Sequence, residues 1–241
     1  MKYLKCLILC VVFSCSKNVD NEFSTTLSSY VNEQKFELGA VIACAASEEN
    51  TNNILTFFYP EDGASNIRFY ETVNAEVDKS DFSNYKQTLI KSEPFFNGYL
   101  GRFTQSDSVE KWIVITFELD NEIKISNPIR SKQISKPTVW TDAVTINQSE
   151  ATMPSFTWQD NAAGDNAIYF QVISDSQNNL LSGTYTNENT FQYYNTNNVI
   201  LNITTQTPPN LIHDNTYNFT LMDVSEDNWV NLVVQKMFQL Q

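Results

Sequence analysis

The sequence is poor in the residues on which most catalytic and metal sites depend. Its 241 residues include one histidine, four cysteines and six glycines. With His213 as the sole histidine, the chain lacks the usual bases for nucleophilic catalysis and the usual partners for a zinc site. Six glycines argue against a phosphate-binding glycine loop. Basic residues are also scarce, and the net charge of −13 argues against binding to nucleic acid or to anionic lipid surfaces.

The chain begins with features of a secretory leader. Lys2 and Lys5 precede an apolar run, residues 6–13, that is far too short to span a bilayer, and polar residues follow directly after Cys15. The motif VFSC at residues 12–15 resembles the lipoprotein box of bacterial proteins. This resemblance implies a signal peptide over residues 1–14 and a lipid on Cys15. The asparagine-rich composition is similar to that of Bacteroidetes lipoproteins, which implies the cell envelope and, as a first expectation, the outer membrane.

Cys44 is the cysteine that would remain once the leader is removed and Cys15 is lipidated, so no intramolecular disulfide is expected. It lies in the apolar run VIACAA, which indicates a buried, inert residue, with a reactive thiol as the alternative. Residues 15–34 are mostly polar and predict a flexible tether between the lipid and the folded part.

Residues 35–130 contain short β-like runs separated by turn residues, which predicts one β-sandwich. The predicted strands include Glu37–Ala45, Pro94–Phe103 and Lys111–Leu119. In the last of these, one face is wholly apolar and the other mixed, as expected for a strand that is half exposed to water. Residues 131–137 lack this alternation and carry basic residues, so they predict a linker.

Residues 138–241 repeat the β-like texture and predict a second sandwich. The segment SFTWQDNAAGDNAIYFQVI, residues 155–173, resembles the second and third strands of a fibronectin type III domain. Trp158 would be its core tryptophan, with Phe170 and Val172 turned inward. The segment LIHDNTYNFTL, residues 211–221, resembles the turn in which a tyrosine, here Tyr217, fixes a corner of the sandwich. The first sandwich resembles this immunoglobulin-like family more loosely. The predicted fold is therefore all-β, with two tandem immunoglobulin-like sandwiches.

Two loops of the second sandwich are acidic, and the resemblance places both at the end where the chain enters. The candidate metal ligands are Asp160, Asp165, Asp223, Glu226 and Asp227. Carboxylate-rich loops suit calcium, which takes oxygen ligands in flexible geometry. The alternative is that Arg130, Lys132 and Lys136, which arrive at the same end, neutralise these acids.

A candidate ligand surface is the segment TNENTFQYYNTNN, residues 186–198. Tyr193 and Tyr194 combine aromatic area with neighbouring asparagine side chains, a composition suited to recognition. Trp229 would extend this surface if it is exposed. The alternative is that both tyrosines simply pack an edge strand.

These observations predict a noncatalytic, lipid-anchored protein of the cell envelope that acts as a surface binding or adhesion module. It would contact the membrane through its lipid, a glycan or an envelope protein through its surface, and no nucleic acid. A structural spacer or subunit of an outer-membrane assembly for nutrient uptake is the alternative. A glycoside hydrolase or its accessory is the third possibility, because paired carboxylates could be drawn from 28 acids.

Overall fold

The computed structural model describes residues 26–161, 164–204 and 206–241. The predicted signal peptide, residues 1–14, and Cys15 lie outside the described residues. None of the helices in the described part is long and apolar enough to cross a membrane.

The first sandwich consists of two sheets, with strands numbered in chain order. Its outer sheet runs in the order β1 (Phe36–Val41), β9 (Glu122–Ser126), β8 (Trp112–Leu119), β4 (Ser65–Glu71) and β5 (Lys86–Thr88), and β10 (Ile129–Arg130) also pairs with β8. Its inner sheet runs in the order β2 (Ala43–Ser47), β3 (Asn53–Phe58), β7 (Leu100–Ser106) and β6 (Glu93–Phe95).

The second sandwich follows the same plan. Its inner sheet runs in the order β11 (Val139–Thr141), β19 (Val230–Gln239), β18 (Thr216–Ser225), β14 (Asn166–Asp175), β15 (Leu180–Thr186) and β17 (Leu201–Asn202). Its outer sheet runs in the order β12 (Val144–Asn147), β13 (Ser155–Trp158) and β16 (Thr190–Gln192).

Both halves begin with a strand that changes sheets. β1 pairs in parallel with β9, and β2 then forms a hairpin with β3. In the second half, β11 pairs in parallel with β19, and β12 then pairs with β13. The predicted first strand, Glu37–Ala45, is therefore two strands on different sheets. In the first sandwich, β2, β3 and β7 therefore lie opposite β4, β8 and β9, and in the second, β12, β13 and β16 lie opposite β14, β18 and β19. This division of strands between two sheets is that of immunoglobulin-like sandwiches. The all-β prediction with two such sandwiches is confirmed.

The two sandwiches pack face to face through their inner sheets. In β3, Ile54 and Phe58 belong to the core of the first sandwich, whereas Leu55 and Phe57 point the other way. Because side chains alternate along a strand, a second apolar layer must cover Leu55 and Phe57. That layer comes from the second sandwich, and we call the shared apolar layer the seam. Its buried members are Ala46, Leu55, Phe57, Phe96 and Leu100 from the first half, and Phe170, Val172, Leu180, Tyr185, Ile203, Met222, Val224, Val230 and Val233 from the second.

The seam corrects one prediction for the second sandwich. Phe170 and Val172 are buried, but in the seam, while Tyr169 and Ile173 fill the core of their own sandwich. Trp158 does lie in that core, with 1% of its surface exposed. The sequence pattern showed that both faces of β14 are apolar but not which face meets which layer.

The outer face of the first sandwich is also covered, which corrects two further predictions. A short helix, α1 (Leu27–Val31), is capped by Thr26, and its Leu27 packs with Val114 on the outer sheet and with Tyr85 just before β5. The predicted tether therefore cannot include residues 26–31, and residues 36–41 are already a strand. Because α1 and its neighbours cover the mixed face of β8, Val114 and Thr116 are fully buried rather than half exposed.

The predicted linker, residues 131–137, is docked rather than free. Ser131 is fully buried, and its backbone N–H donates to the carbonyl of Lys111 at 2.9 Å. Just beyond it, the Thr138 hydroxyl accepts from the Ser47 N–H at 2.8 Å and donates to the Val230 carbonyl at 2.8 Å. Thr138 thus joins the inner sheets of both sandwiches.

Candidate functional site: the junction of the two sandwiches

The predicted acidic loops do meet at the domain junction, where lysines from the docked linker neutralise them. Lys136 Nζ lies 2.8 Å from both carboxylate oxygens of Asp165, and Asn231 donates to one of them at 2.9 Å. Partial burial alone would raise the pKa of the Asp165 carboxyl, but Lys136 outweighs it and holds that pKa below its usual value. Lys132 lies 2.6 Å from Asp227. The alternative of pairing with the linker is therefore confirmed for Lys132 and Lys136.

Asp223 is the most deeply buried acid of this group, with none of its surface exposed. Its carboxylate accepts from the side-chain amides of Asn161 at 2.5 Å and Asn166 at 2.7 Å. Burial, together with the nearby charge of Asp160, raises its pKa above the usual value despite these two donors. Asp160 itself accepts from the Tyr169 hydroxyl at 2.7 Å.

These contacts leave little coordination capacity for a cation. Within the described part of the chain, no cluster of three or more His, Cys, Asp or Glu side chains could hold a metal ion. Of the five candidate ligands, Asp165 and Asp227 are paired with lysines, and Asp160 and Asp223 accept hydrogen bonds from neutral donors. Glu226 lies in the same loop as Asp227. The structure thus brings these acids together in one region but does not arrange them as a calcium site.

The predicted aromatic surface does not exist as a continuous patch. Tyr193 is fully buried, and its hydroxyl donates to the Pro209 carbonyl at 2.6 Å. Trp229 is also fully buried, and it lies in the core of the first sandwich. Only Tyr194 remains exposed, at 42%. The prediction of a Tyr193–Tyr194–Trp229 ligand surface is therefore wrong, because two of its three rings are needed for packing.

The predicted tyrosine corner is present. The Tyr217 hydroxyl accepts a hydrogen bond from the Ile212 backbone N–H at 2.8 Å, so the side chain fastens the turn before β18. His213 lies in that turn and is exposed. Its side chain faces solvent. Among the described residues, no nucleophile is hydrogen-bonded to it.

A polar groove at the junction was not anticipated. It measures about 830 Å³ and is bounded by the β2–β3 turn (residues 47–52), the end of β7 (residues 106–108), the linker (residues 133–138) and Trp140. We call it the junction groove. Both sandwiches build it, since the turns belong to the first and Trp140 to the second. The polar run EENTNN, residues 48–53, marks a turn in the sequence, but nothing local shows that it faces a residue about 90 positions further along.

Hydrogen bonds fix the walls of the junction groove. The Trp140 indole N–H donates to the Ser47 carbonyl at 2.9 Å, which ties the ring to β2. Gln133 donates to the Asp107 carbonyl at 3.3 Å, while its own side-chain oxygen is buried without a partner in the described part of the chain. The groove therefore offers an aromatic ring that is held in a fixed position.

Two carboxylates of the junction groove, Glu48 and Asp107, have pKa values below their usual range. Hydrogen bonds from Asn53 and Thr51 hold the pKa of Glu48 below its usual value. Partial burial would raise the pKa of Asp107, but Lys111 and two backbone donors shift it downward overall. General acids in glycoside hydrolysis need a raised pKa so that they keep a proton at neutral pH. The pKa values of Glu48 and Asp107 are shifted in the opposite direction, downward.

No family model matches the chain, and no curated protein matches its sequence. Solved structures that match include the FN1-FN3 domains of chicken CNTN1, at 10% identity, covering 86% of this chain and 68% of that one, with a TM-score of 0.30. The chicken interferon gamma receptor alpha chain matches at 9% identity, covering 83% and 96%, with a TM-score of 0.26. At such scores the class of protein rests on the strand order itself: an all-β, immunoglobulin-like tandem sandwich, a fold compatible with a noncatalytic binding or structural module.

Proposed function

We propose that this chain is a noncatalytic binding module of the cell envelope, anchored through a lipid on Cys15, and that the junction groove is its binding surface. The lipoprotein-like leader supports the anchor and the outer-membrane placement. The groove supports the binding role. Its volume lies in the range of about 300–1,000 Å³ that is usual for ligand sites.

The single observation that carries the proposal is that two domains, fixed to each other by the seam, jointly build the groove. A groove between rigidly joined domains is preorganised, so a ligand does not have to order it on binding. Its lining is polar, with amides, carboxylates and hydroxyls around the Trp140 ring. This chemistry favours a polar ligand, and we take a neutral glycan as the first candidate, because sugars present hydroxyl groups and an apolar face that stacks on aromatic rings.

The noncatalytic part of the proposal is supported by the state of the acids. Hydrogen-bond donors lower the pKa of Glu48, donors and Lys111 lower that of Asp107, and His213 lies in a turn that does not line the groove. A hydrolase would need one carboxyl held in its protonated form.

Glycan-array binding by the detergent-solubilised full chain tests the proposal. The informative variant combines Glu49→Ala and Asn52→Ala, because both side chains are exposed, line the groove and make no hydrogen bond within the described residues. The matched control combines Glu150→Ala and Asn187→Ala, the same residue types on exposed positions outside the groove.

We expect the groove variant to lose array signal at unchanged melting temperature, and the control to keep the signal. Equal signal from both variants would contradict the groove as the site. Absence of array signal in the parent chain, together with pull-down of one protein at fixed ratio from native membranes, would favour the spacer or assembly subunit instead.

A further inference from the structure

An apolar cavity lies in the seam, separate from the junction groove. It measures about 210 Å³ and takes its walls from both sandwiches, including Cys44 and Phe57 from the first and Phe170, Tyr185 and Met222 from the second. Tightly packed interiors contain few voids larger than a water molecule. This cavity is not enclosed, because its lining includes Leu201, which is 43% exposed, so a ligand can enter it from solvent.

The polar groups of the cavity indicate what such a ligand must offer. Tyr185 has 8% of its surface exposed, and its hydroxyl makes no hydrogen bond with any described residue. A ligand in the cavity that accepts or donates one hydrogen bond could therefore use this hydroxyl. The Tyr185 ring itself is held in place by stacking on Phe170, with 4.5 Å between ring centroids.

Charge excludes an ionised ligand. No Lys, Arg or His is found among the described residues that line the cavity, so a buried carboxylate or phosphate would have no counter-ion. The same low-polarity surroundings raise the pKa of the Cys44 thiol to about 12, in keeping with the expectation that this thiol is inert. Cys44 is half-buried rather than fully buried as predicted, and it forms part of the cavity wall.

The walls and the volume define the ligand further. An engineered apolar cavity of about 150 Å³ holds benzene, so a volume of about 210 Å³ corresponds to roughly eight or nine non-hydrogen atoms. Several aromatic rings form the walls, and aromatic pairs gain from offset stacking and edge-to-face contact.

We propose that the seam cavity binds a small, neutral aromatic molecule carrying one hydrogen-bonding group, held by the Tyr185 hydroxyl. A simple indole or phenol fits this description. The inference does not depend on the function of the junction groove, because Tyr185 and Cys44 do not line the groove and the groove side chains do not line the cavity.

The test uses the full chain labelled with ¹³C at the methionine methyl groups and titrated with indole. The Met222 methyl group lines the cavity, whereas Met237 is 68% exposed and Met153 lies outside the cavity, so the controls are in the same spectrum. We expect a saturable shift of the Met222 signal alone, with a dissociation constant between about 10 µM and 1 mM for a ligand of this size. Absence of a Met222 shift, or equal shifts of all methionines, would overturn the proposal.

Two variants and a second probe sharpen the result. Cys44→Leu fills the cavity and should abolish the Met222 shift, while Tyr185→Phe keeps the ring and should weaken binding about 2- to 12-fold, the value of one hydrogen bond. Unchanged affinity in Cys44→Leu would place indole elsewhere and refute the site. Octanoate, similar in size but anionic, should give no saturable shift; tighter binding of octanoate than of indole would refute the neutral aromatic class.

Discussion

Trp229 belongs to the second sandwich by sequence but to the first by packing, so its replacement should affect both. The residue comes directly before β19, yet its ring is fully buried in the core of the first sandwich. Its indole N–H donates to the Lys136 carbonyl at 2.8 Å, and its backbone forms a bridge to Ala45 on β2. The side chain thus fastens the second sandwich and the linker to the first.

The expected cost of Trp229→Ala follows from this burial. A tryptophan ring that buries roughly 150–250 Å² at about 25 cal/mol per Å² contributes about 4–6 kcal/mol. Measured costs of replacing buried Trp or Phe with Ala are about 3–5 kcal/mol, and the Lys136 carbonyl that loses its donor adds about 1 kcal/mol. We therefore expect a loss of about 4–6 kcal/mol, a large part of the 5–15 kcal/mol by which proteins are usually stable.

Urea unfolding followed by NMR of the indole N–H signals measures this cost in each sandwich separately. Trp112 reports on the first sandwich and Trp158 on the second. We expect both signals of the parent chain to disappear at one urea midpoint, and both midpoints to fall by about 1.5–3 M in Trp229→Ala. Trp229→Phe, which keeps most of the ring, is the control and should cost about 1–2 kcal/mol. A change confined to the Trp158 signal, or a loss below about 1 kcal/mol, would refute the reasoning.

Three further predictions concern single contacts. Gly101→Ala would place a Cβ 2.1 Å from the Phe58 ring, so we expect thermal unfolding to show a loss of about 1–3 kcal/mol, and a loss below 0.5 kcal/mol would contradict this packing. Asp223 has a pKa raised by burial, so its contribution to the free energy of unfolding is fully present below the unfolded pKa of about 3.9 and is lost as pH rises through the raised value. The stability of the parent relative to Asp223→Asn should therefore fall over this pH window. A difference in stability that stays flat or rises with pH would contradict this reasoning. Tyr217→Phe leaves the Ile212 N–H without its acceptor and should cost about 1–3 kcal/mol in urea unfolding, whereas no cost would mean that the corner is not fastened by this bond.

The strands that alternate cleanly could be predicted from the sequence. The predicted strand Lys111–Leu119 agrees to within one residue with β8, Trp112–Leu119. Pro94–Phe103 was predicted as one strand but is a hairpin, because Phe96 and Asn97 adopt positive φ angles between β6 and β7. Asn97-Gly98 lies at this point, and an Asn-Gly pair between apolar residues is a strong hairpin signal, so the sequence did mark this turn and the single-strand prediction overlooked it.

The relation between the two sandwiches could not be predicted. Apolar residues on both faces of β3 and β14 show that each strand is buried on both faces. The sequence pattern is the same whether a given face meets the core of its own sandwich or the other sandwich. Buried rings such as Trp229 and Tyr193 have the same composition as an aromatic binding surface, and only their tertiary partners distinguish the two. The junction groove depends on the seam in the same way, because its walls are far apart in the chain.

The central claim is that the seam joins the two sandwiches into one rigid body. Residual dipolar couplings of backbone amides, measured separately for residues 36–130 and 139–241 in the same aligned sample, test it most directly. We expect both sets to fit one alignment tensor, in the orientation given by the face-to-face packing of the inner sheets. Two tensors of different magnitude or orientation would mean that the sandwiches move independently, and the seam, the junction groove and the cavity would then lose their structural basis.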